Sequence, residues 1–194
     1  VNDAPILPAQ AFNGTEDTTG SFALVGVNDV DGDDLTFTID TQSAHGTVTI
    51  LDSSSGRFSY LGDSNFNGQD SFDVMVDDGN GGQTLATISI DVSAVNDAPD
   101  VQTLINIQGS EDSTIVSAIN ASDVDGDALS YEIESNAQPT HGSVVLNSDG
   151  TFTYTPDVNY NGSDSFVVLT NDGQGSANSI SRTVVNVTAQ AAND

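Results

Sequence analysis

The chain has 194 residues, of which 29 are acidic and two are basic, so its formal net charge is −27 at pH 7. Arg57 and Arg182 cannot form a basic patch, and this excludes sites for nucleic acids and for anionic membrane surfaces. The absence of cysteine excludes disulfides and thiolate zinc sites, and crowded carboxylates favour a hard divalent cation with oxygen ligands.

One pattern of residues occurs twice. Val1-Asn2-Asp3-Ala4-Pro5 returns 94 residues later as Val95-Asn96-Asp97-Ala98-Pro99. The other matched segments are Glu16-Asp17 with Glu111-Asp112, Asp29-Val30-Asp31-Gly32-Asp33 with Asp123-Val124-Asp125-Gly126-Asp127, His45-Gly46 with His141-Gly142, and Asp78-Gly79 with Asp172-Gly173. The repeat predicts two domains, 1–94 and 95–194, with Val95–Pro99 as the linker. Asn193-Asp194 is expected to begin a further linker, so the chain is interpreted as a piece of a longer protein.

The predicted elements are all β-strands. Apolar and polar residues alternate at Leu35, Phe37 and Ile39, and the same alternation recurs at 129–133. Further strands are predicted at 21–27, 46–51, 58–61, 71–76 and 84–92, between clusters of Gly, Asn and Asp. About seven short strands in each copy are typical of an immunoglobulin-like β-sandwich.

An acidic loop occurs once in each copy, at 29–33 and at 123–127. Three carboxylates at alternate positions of one turn repel each other unless a cation offsets their charge. A solvated acidic turn is the alternative, because Asp and Gly are favoured turn residues. An EF-hand loop is excluded, because strand alternation begins at Leu129 and carries Glu134 away from the loop.

These motifs resemble the cadherin family, and specifically the bacterial cadherin-like tandem repeats of giant surface adhesins. Asp123-Val124-Asp125-Gly126 resembles the family's Asp-x-Asp loop, Asn171-Asp172-Gly173 its Asp-x-Gly loop, and Val95–Pro99 its linker. Glu16 and Glu111 lie where cadherins carry an early glutamate, and Asp70 and Asp164 lie near the place of a mid-domain acidic motif. Ala94 replaces the first Asp of that linker, so the resemblance implies fewer ions at this junction than in vertebrate cadherins.

Calcium takes about six to eight oxygen ligands, more than one short loop presents, so separate loops must converge. The loops of a sandwich gather at its two ends, which predicts a calcium site where the linker meets both Asp loops. The predicted ligands are Asn2, Asp3, Asp29, Asp31, Asp33 and Asp78 in the first copy and Asn96, Asp97, Asp123, Asp125, Asp127 and Asp172 in the second. Glu16 with Asp70, and Glu111 with Asp164, are expected to complete the shell from the far end of each copy.

The resemblance implies a calcium-rigidified extender that holds a distal adhesive domain away from a bacterial cell surface. Such a module is expected to be extracellular, monomeric and not an enzyme, with neighbouring repeats of the same chain as its partners. The alternative is that the repeats themselves bind polysaccharide or associate with another copy of the protein. Sugars stack on exposed aromatic rings, but Phe66 and Tyr160 are interpreted as closing the end of the core rather than as sugar platforms. His45 and His141 are interpreted as turn residues.

Overall fold

The computed structural model describes residues 1–192, and the chain divides into two compact units, Val1–Val95 and Asn96–Asp194. Regular structure in the described residues consists of 16 β-strands, which confirms the predicted all-β class. No helix that could cross a membrane occurs between residues 1 and 192. The division between the units lies after Val95, one residue beyond the predicted domain boundary.

The first unit is a sandwich of two sheets. Its strands are β1 Gln10–Thr15, β2 Gly20–Ala23, β3 Thr36–Thr41, β4 Gly46–Asp52, β5 Arg57–Gly62, β6 Gly68–Asp77 and β7 Gln83–Ser93. One sheet has the order β1-β7-β6-β3 and the other β2-β5-β4. All pairings are antiparallel except that of β1 with β7, which is parallel. The two sheets bury the residues of one face, because side chains alternate between faces along each strand.

The core of this unit is built around Phe58, which is fully buried in β5. The ring centroids of Phe12, Phe22 and Phe72 lie 5.1–5.5 Å from its own. Aromatic pairs at these distances add to the free energy of area burial. Aromatic side chains from four strands of the two sheets therefore pack together around Phe58.

The second unit repeats this architecture with two additional short strands. Its strands are β8 Asp100–Val101, β9 Leu104–Ser110, β10 Ile115–Ala118, β11 Ala121–Ser122, β12 Ser130–Ile133, β13 Gly142–Leu146, β14 Thr151–Pro156, β15 Gly162–Asn171 and β16 Ile180–Gln190. The large sheet has the order β12-β15-β16-β9, and a smaller sheet has the order β10-β14-β13. Strands β8 and β11 pair only with each other, where the first unit has a single bridge between Ile6 and Asn28.

The strand predicted at 21–27 is wrong in its second half, because β2 ends at Ala23. The side chain of Gln10 binds the backbone of Val25, accepting from its N–H at 2.9 Å and donating to its carbonyl at 3.1 Å. Gly26 then adopts a φ of +66°, which a strand does not allow. The chain thus leaves the sheet and leads into the acidic loop.

We expect Phe58→Ala to lower the free energy of unfolding of the first unit by about 3–5 kcal/mol, because it removes a large side chain from a packed aromatic cluster. Leu61→Ala is the control, since Leu61 lies on the same strand and is 45% exposed. Urea denaturation followed by circular dichroism measures both. Equal effects of the two substitutions would contradict the description of the core.

Candidate metal centre

In the first unit, the acidic loop turns around the carboxylate of Asp29. Its Oδ1 accepts hydrogen bonds from Asp31 N at 2.8 Å and from Asp33 N at 3.4 Å. Gly32 has a φ of +78°, in the left-handed region that favours glycine. One carboxylate oxygen from each of the three aspartates lies within 4.8 Å of the others. The loop therefore gathers three negatively charged oxygens in one place.

The amino-terminal segment of the unit binds to two loops at once. Asp3 N donates to Asp31 Oδ2 at 2.8 Å, and Asn2 Nδ2 donates to Asp78 Oδ2 at 2.7 Å. Asp78 is buried in the turn between β6 and β7. The predicted ligands of this segment, the acidic loop and the Asp78 turn therefore lie at the same end of the first unit.

Asp78 is held by its own turn. Its Oδ1 accepts from Asn80 N at 2.7 Å and from Gly82 N at 2.9 Å. A β-carbon at Gly82 would lie 2.2 Å from Asp78 Oδ2, so the close approach requires glycine. Burial raises the pKa of the Asp78 carboxyl, but the hydrogen bonds from Asn2 and the turn backbone outweigh it and lower the pKa below its usual value.

The second unit repeats the arrangement. Asp123 Oδ1 accepts from Asp125 N at 3.0 Å and from Asp127 N at 3.2 Å, while Asp97 N donates to Asp125 Oδ2 at 2.9 Å. The three aspartates of the loop again bring carboxylate oxygens within 4.8 Å of one another. Asn96 Nδ2 donates to Asp172 Oδ2 at 2.9 Å, and Asp172 is buried like Asp78.

One oxygen in each acidic loop has no hydrogen-bond donor. Asp29 Oδ2 and Asp123 Oδ2 are both buried and lack a partner. A buried carboxylate oxygen without a donor is costly, and a cation bound to it would offset this cost in both units. The surrounding groups are carboxylates and side-chain amides without His or Cys, and this donor chemistry fits calcium.

The two glutamates bind the carboxyl-terminal end of their own units. Glu16 is 1% exposed, and its Oε1 accepts from Val95 N at 2.5 Å. Glu111 is 5% exposed, and its Oε1 accepts from Ala192 N at 2.8 Å. Both glutamates therefore lie at the point where the chain leaves the sandwich. Asn193-Asp194, where a further linker was predicted, falls outside the described residues.

An asparagine that the sequence interpretation missed also contacts each glutamate. Asn67 Nδ2 donates to Glu16 Oε2 at 3.5 Å, and Asn161 Nδ2 donates to Glu111 Oε2 at 3.1 Å. The signal for these asparagines in the sequence is an Asn-x-Asn-Gly motif that both copies share, at residues 65–68 and 159–162.

The structure does not bring Asp70 and Asp164 into the acidic groups described above. Asp70 Oδ1 accepts from Ala44 N and Ser71 N, and its Oδ2 accepts from His45 N and from the Tyr60 hydroxyl at 2.9 Å. Each oxygen thus has two donors within the unit. This carboxylate fixes the loop before β4, and it offers little to a metal.

Asp164 has the same environment in the second unit. It accepts from the backbone of Thr140, His141 and Ser165 and from the Tyr154 hydroxyl at 2.8 Å. Burial raises the pKa of Asp164, but these hydrogen bonds outweigh burial and lower it below the usual value. Burial and the nearby carboxylate raise the pKa of Tyr154, so the phenol stays protonated as the donor.

Each histidine stacks on the aromatic residue of the Asn-x-Asn-Gly motif. The ring centroids of His45 and Phe66 are 4.4 Å apart with planes 10° apart, and those of His141 and Tyr160 are 4.2 Å apart with planes 7° apart. Phe66 also packs against the core of its unit. One face of each aromatic ring is therefore covered by imidazole.

The model of the bacterial cadherin-like domain family matches the chain twice, at residues 2–94 and 96–189. The two matches meet where the chain divides into its compact units. No curated protein matches the chain.

Solved cadherin structures share the fold. Domains EC1-4 of Drosophila N-cadherin align with a TM-score of 0.62 at 17% identity, covering 99% of this chain and 50% of that one. Domains EC1-2 of human protocadherin-24 align with a TM-score of 0.62 at 15% identity, covering 98% of this chain and 100% of that one. An endo-fucoidan hydrolase of glycoside hydrolase family 107 aligns at 20% identity with a TM-score of 0.46, and this chain covers 29% of its length. At these identities the cadherin structures show the fold alone, and the hydrolase alignment carries no argument.

We expect Asp164→Asn to lower the free energy of unfolding of the second unit by about 1.5–3 kcal/mol at pH 7. The carboxylate of Asp164 accepts hydrogen bonds on both oxygens, whereas the NH₂ group of asparagine is a donor and would face these same donors. A lowered pKa stabilises the folded state above the ordinary aspartate pKa of about 3.9, and this contribution is lost as the pH falls through the lower folded value. The difference from the unmodified chain should therefore shrink below about pH 4.

Denaturation at a series of pH values measures this difference. Asp100→Asn, at an exposed position of the same unit, is the matched control and should change little at any pH. An Asp164→Asn effect that is independent of pH would contradict the role given to the charge.

Proposed function

Since the chain belongs to the family of bacterial cadherin-like domains, we propose that it is a calcium-binding tandem extender module of a bacterial cell-surface adhesin. The observation that carries the proposal is the buried, donorless Oδ2 of Asp29 and of Asp123, each within a group of three carboxylates. Bound calcium would supply the positive charge that these oxygens lack. The role is mechanical and extracellular, and it involves no catalytic step.

The proposed ligands are those that each unit gathers at its amino-terminal end. They are Asn2, Asp3, Asp29, Asp31, Asp33 and Asp78 in the first unit and Asn96, Asp97, Asp123, Asp125, Asp127 and Asp172 in the second. Asparagine binds through its side-chain or backbone carbonyl, because the amide nitrogen is a donor. Asp70 and Asp164 are left out, because two donors within the unit already bind each of their oxygens.

In this proposal, repulsion among the carboxylates of the acidic loops makes bound calcium necessary for a rigid module. Two carboxylates 4 Å apart repel each other by about 4 kcal/mol at the effective dielectric of a protein surface. The chain has no lysine to offset this repulsion, and Arg57 and Arg182 lie outside both acidic loops. A divalent cation that binds several carboxylates at once offsets this repulsion and holds the carboxylates together.

The sequence of the linker supports ion binding at the junction of the repeats. Val95 N is bound to Glu16 within the first unit, whereas the next residue, Asn96, is bound to Asp172 within the second. Consecutive residues are thus anchored in different units, which leaves little free chain between them. We therefore include Glu16 with the ligands of the second unit, and Glu111 in the same role toward a following repeat.

Proline restricts the linker further. The ring of Pro99 fixes its own φ and disfavours helical backbone at Ala98. The carbonyl of Pro99 also accepts a hydrogen bond of 2.5 Å from the Ser181 hydroxyl of β16. The residues that follow Asn96 and Asp97 are therefore fixed to the second unit.

The alternative, in which the repeats bind polysaccharide, requires an open aromatic face for the sugar. Such a platform would need the ring of Phe66 or Tyr160, and His45 and His141 cover one face of each ring. This arrangement favours the extender over a sugar-binding module. Association between copies of the chain remains the other form of the alternative, and sizing in calcium distinguishes it from a monomeric extender.

We expect calcium at a hundredfold excess over its Kd to raise the free energy of unfolding by about 2.7 kcal/mol for each independent site, because the unfolded chain does not gather the ligands. Asp123→Ala should remove the part of this increase that belongs to the second unit. Thermal melting with calcium and with chelator measures both.

The control for Asp123→Ala is Asp149→Ala. Asp149 lies in the turn before β14, where its Oδ1 accepts from Thr151 N at 3.0 Å, and it is not one of the proposed ligands. It should keep the full increase with calcium. Melting temperatures that do not differ between calcium and chelator in the unmodified chain would refute calcium binding.

We expect calcium to set the shape of the pair of repeats. Without the ion, the carboxylates near the linker repel one another and the domains should move independently; with it, bending would have to break several coordination bonds together. Small-angle scattering should show a narrow, extended distribution in calcium and a broad distribution after chelation. Asp97→Ala should give the broad distribution even in calcium while both domains stay folded, and equal rigidity in both conditions would contradict the extender mechanism.

A further inference from the structure

The sequence contains four Asn-Gly pairs, and they lie in different local structures. Asn13-Gly14 lies within β1. Asn67 and Asn161 donate their side-chain amides to Glu16 and Glu111, and each precedes the glycine that begins a long strand. Asn80-Gly81 lies in the turn between β6 and β7, outside any strand.

Asn-Gly pairs can react without an enzyme. The backbone nitrogen of the glycine attacks Cγ of the asparagine, forming an N–Cγ bond; the nitrogen loses its proton to solvent, and the Cγ–Nδ2 bond breaks with release of ammonia. Water then opens the cyclic succinimide to aspartate or to isoaspartate. The reaction is fastest where the chain is exposed and outside regular secondary structure, and where the following residue is glycine, which has no β-carbon to hinder ring closure.

The geometry around Asn80 meets these requirements. Asn80 and Gly81 are both exposed, and Gly81 has a φ of +103° with nothing within 4 Å of the position of a β-carbon. The backbone N–H of Asn80 is bound to Asp78, but within residues 1–192 its side-chain amide has no hydrogen-bond partner. The reacting amide is thus free to turn toward Gly81 N.

In contrast, the other three pairs are restrained. Gly14 pairs with Val92, Gly68 also pairs with Val92 from the opposite side of β7, and Gly162 pairs with Ala189. A succinimide would distort backbone that is part of a sheet, so strand pairing opposes the reaction at these glycines.

We propose that Asn80-Gly81 is a site of spontaneous deamidation that remodels the turn holding Asp78. Isoaspartate at position 80 adds one carbon to the main chain between Asp78 and Gly82. Asp78 Oδ1 accepts from the backbone of both Asn80 and Gly82, and Asp78 N donates to Gly82 O at 3.2 Å. The longer main chain would break these hydrogen bonds. The modification rests on the turn geometry alone, whereas any effect on calcium binding rests on the proposed function.

The second unit lacks this reactive pair. Gln174 takes the place of Asn80, donating its backbone N–H to Asp172 Oδ1 at 2.8 Å, and Gly175 follows it. Glutamine would need a six-membered ring, which forms much more slowly than the five-membered succinimide. Deamidation should therefore alter the turn at Asp78 in the first repeat before the equivalent turn at Asp172 in the second.

Peptide mapping by mass spectrometry tests the proposal on the full chain, incubated in mildly alkaline buffer and sampled over time. In the folded chain we expect Asn80 to exchange its amide for a carboxyl several-fold faster than Asn13, Asn67 and Asn161. In denaturant the four sites should react at similar rates, because each asparagine precedes glycine. Asn80→Gln should abolish the signal at this position without raising it elsewhere. If Asn80 in the folded chain reacts no faster than the other three, the proposal is wrong.

A second series with calcium or chelator separates this proposal from the proposed function. Calcium bound at Asp78 should slow the reaction at Asn80 in the folded chain and leave the rate in denaturant unchanged. If Asn80 reacts first but calcium changes neither its rate nor the melting temperature, deamidation is supported and the calcium proposal fails.

Discussion

Each carboxylate that folding buries in this chain needs a donor or a cation, and the sequence provides almost no basic side chains. Between residues 1 and 192 the structure contains one side-chain ion pair, from Arg182 to Glu134. Glu134 is only partly buried, and the buried acids depend on backbone N–H groups, hydroxyls and amides. Because a buried charge without partners is costly, the number of donors around each acid indicates what that acid does.

This criterion distinguishes two pairs of acids. Asp70 and Asp164 have two donors on each oxygen, including a tyrosine hydroxyl from a strand of the other sheet, so they stabilise the fold by themselves. Asp29 and Asp123 bind two backbone N–H groups through one oxygen and leave the other without a donor. The first pair completes the sandwich, and the second has the unsatisfied oxygens on which the proposed cation site rests.

Much of this could be predicted from the sequence, because the repeat and the strand alternation determine the sandwich and the place of its loops. The role of Asp70 could not. Asp70 and Asp78 both lie near the ends of β6, and only the fold shows that Tyr60 and the loop before β4 bind Asp70 while Asn2 and the turn bind Asp78. Likewise, the early end of β2 depends on the long-range contact of Gln10 with Val25, which local propensity does not encode.

The two repeats share their proposed ligands but differ in the contacts that each makes with the asparagine of the preceding linker segment. In the first unit, Asn2 donates its amide to Asp78 alone among the described residues. In the second, Asn96 lies within donor distance of Asp172, Ser176 and the carbonyl of Asn178, because the turn after Asp172 is longer and folds over the asparagine. Ser179 closes this longer turn, accepting from Asp172 N where Gly82 does so in the first unit. A longer turn thus supplies extra acceptors for the linker asparagine without changing the acidic residues around it, so the two repeats can hold this asparagine differently while their proposed ligands stay the same.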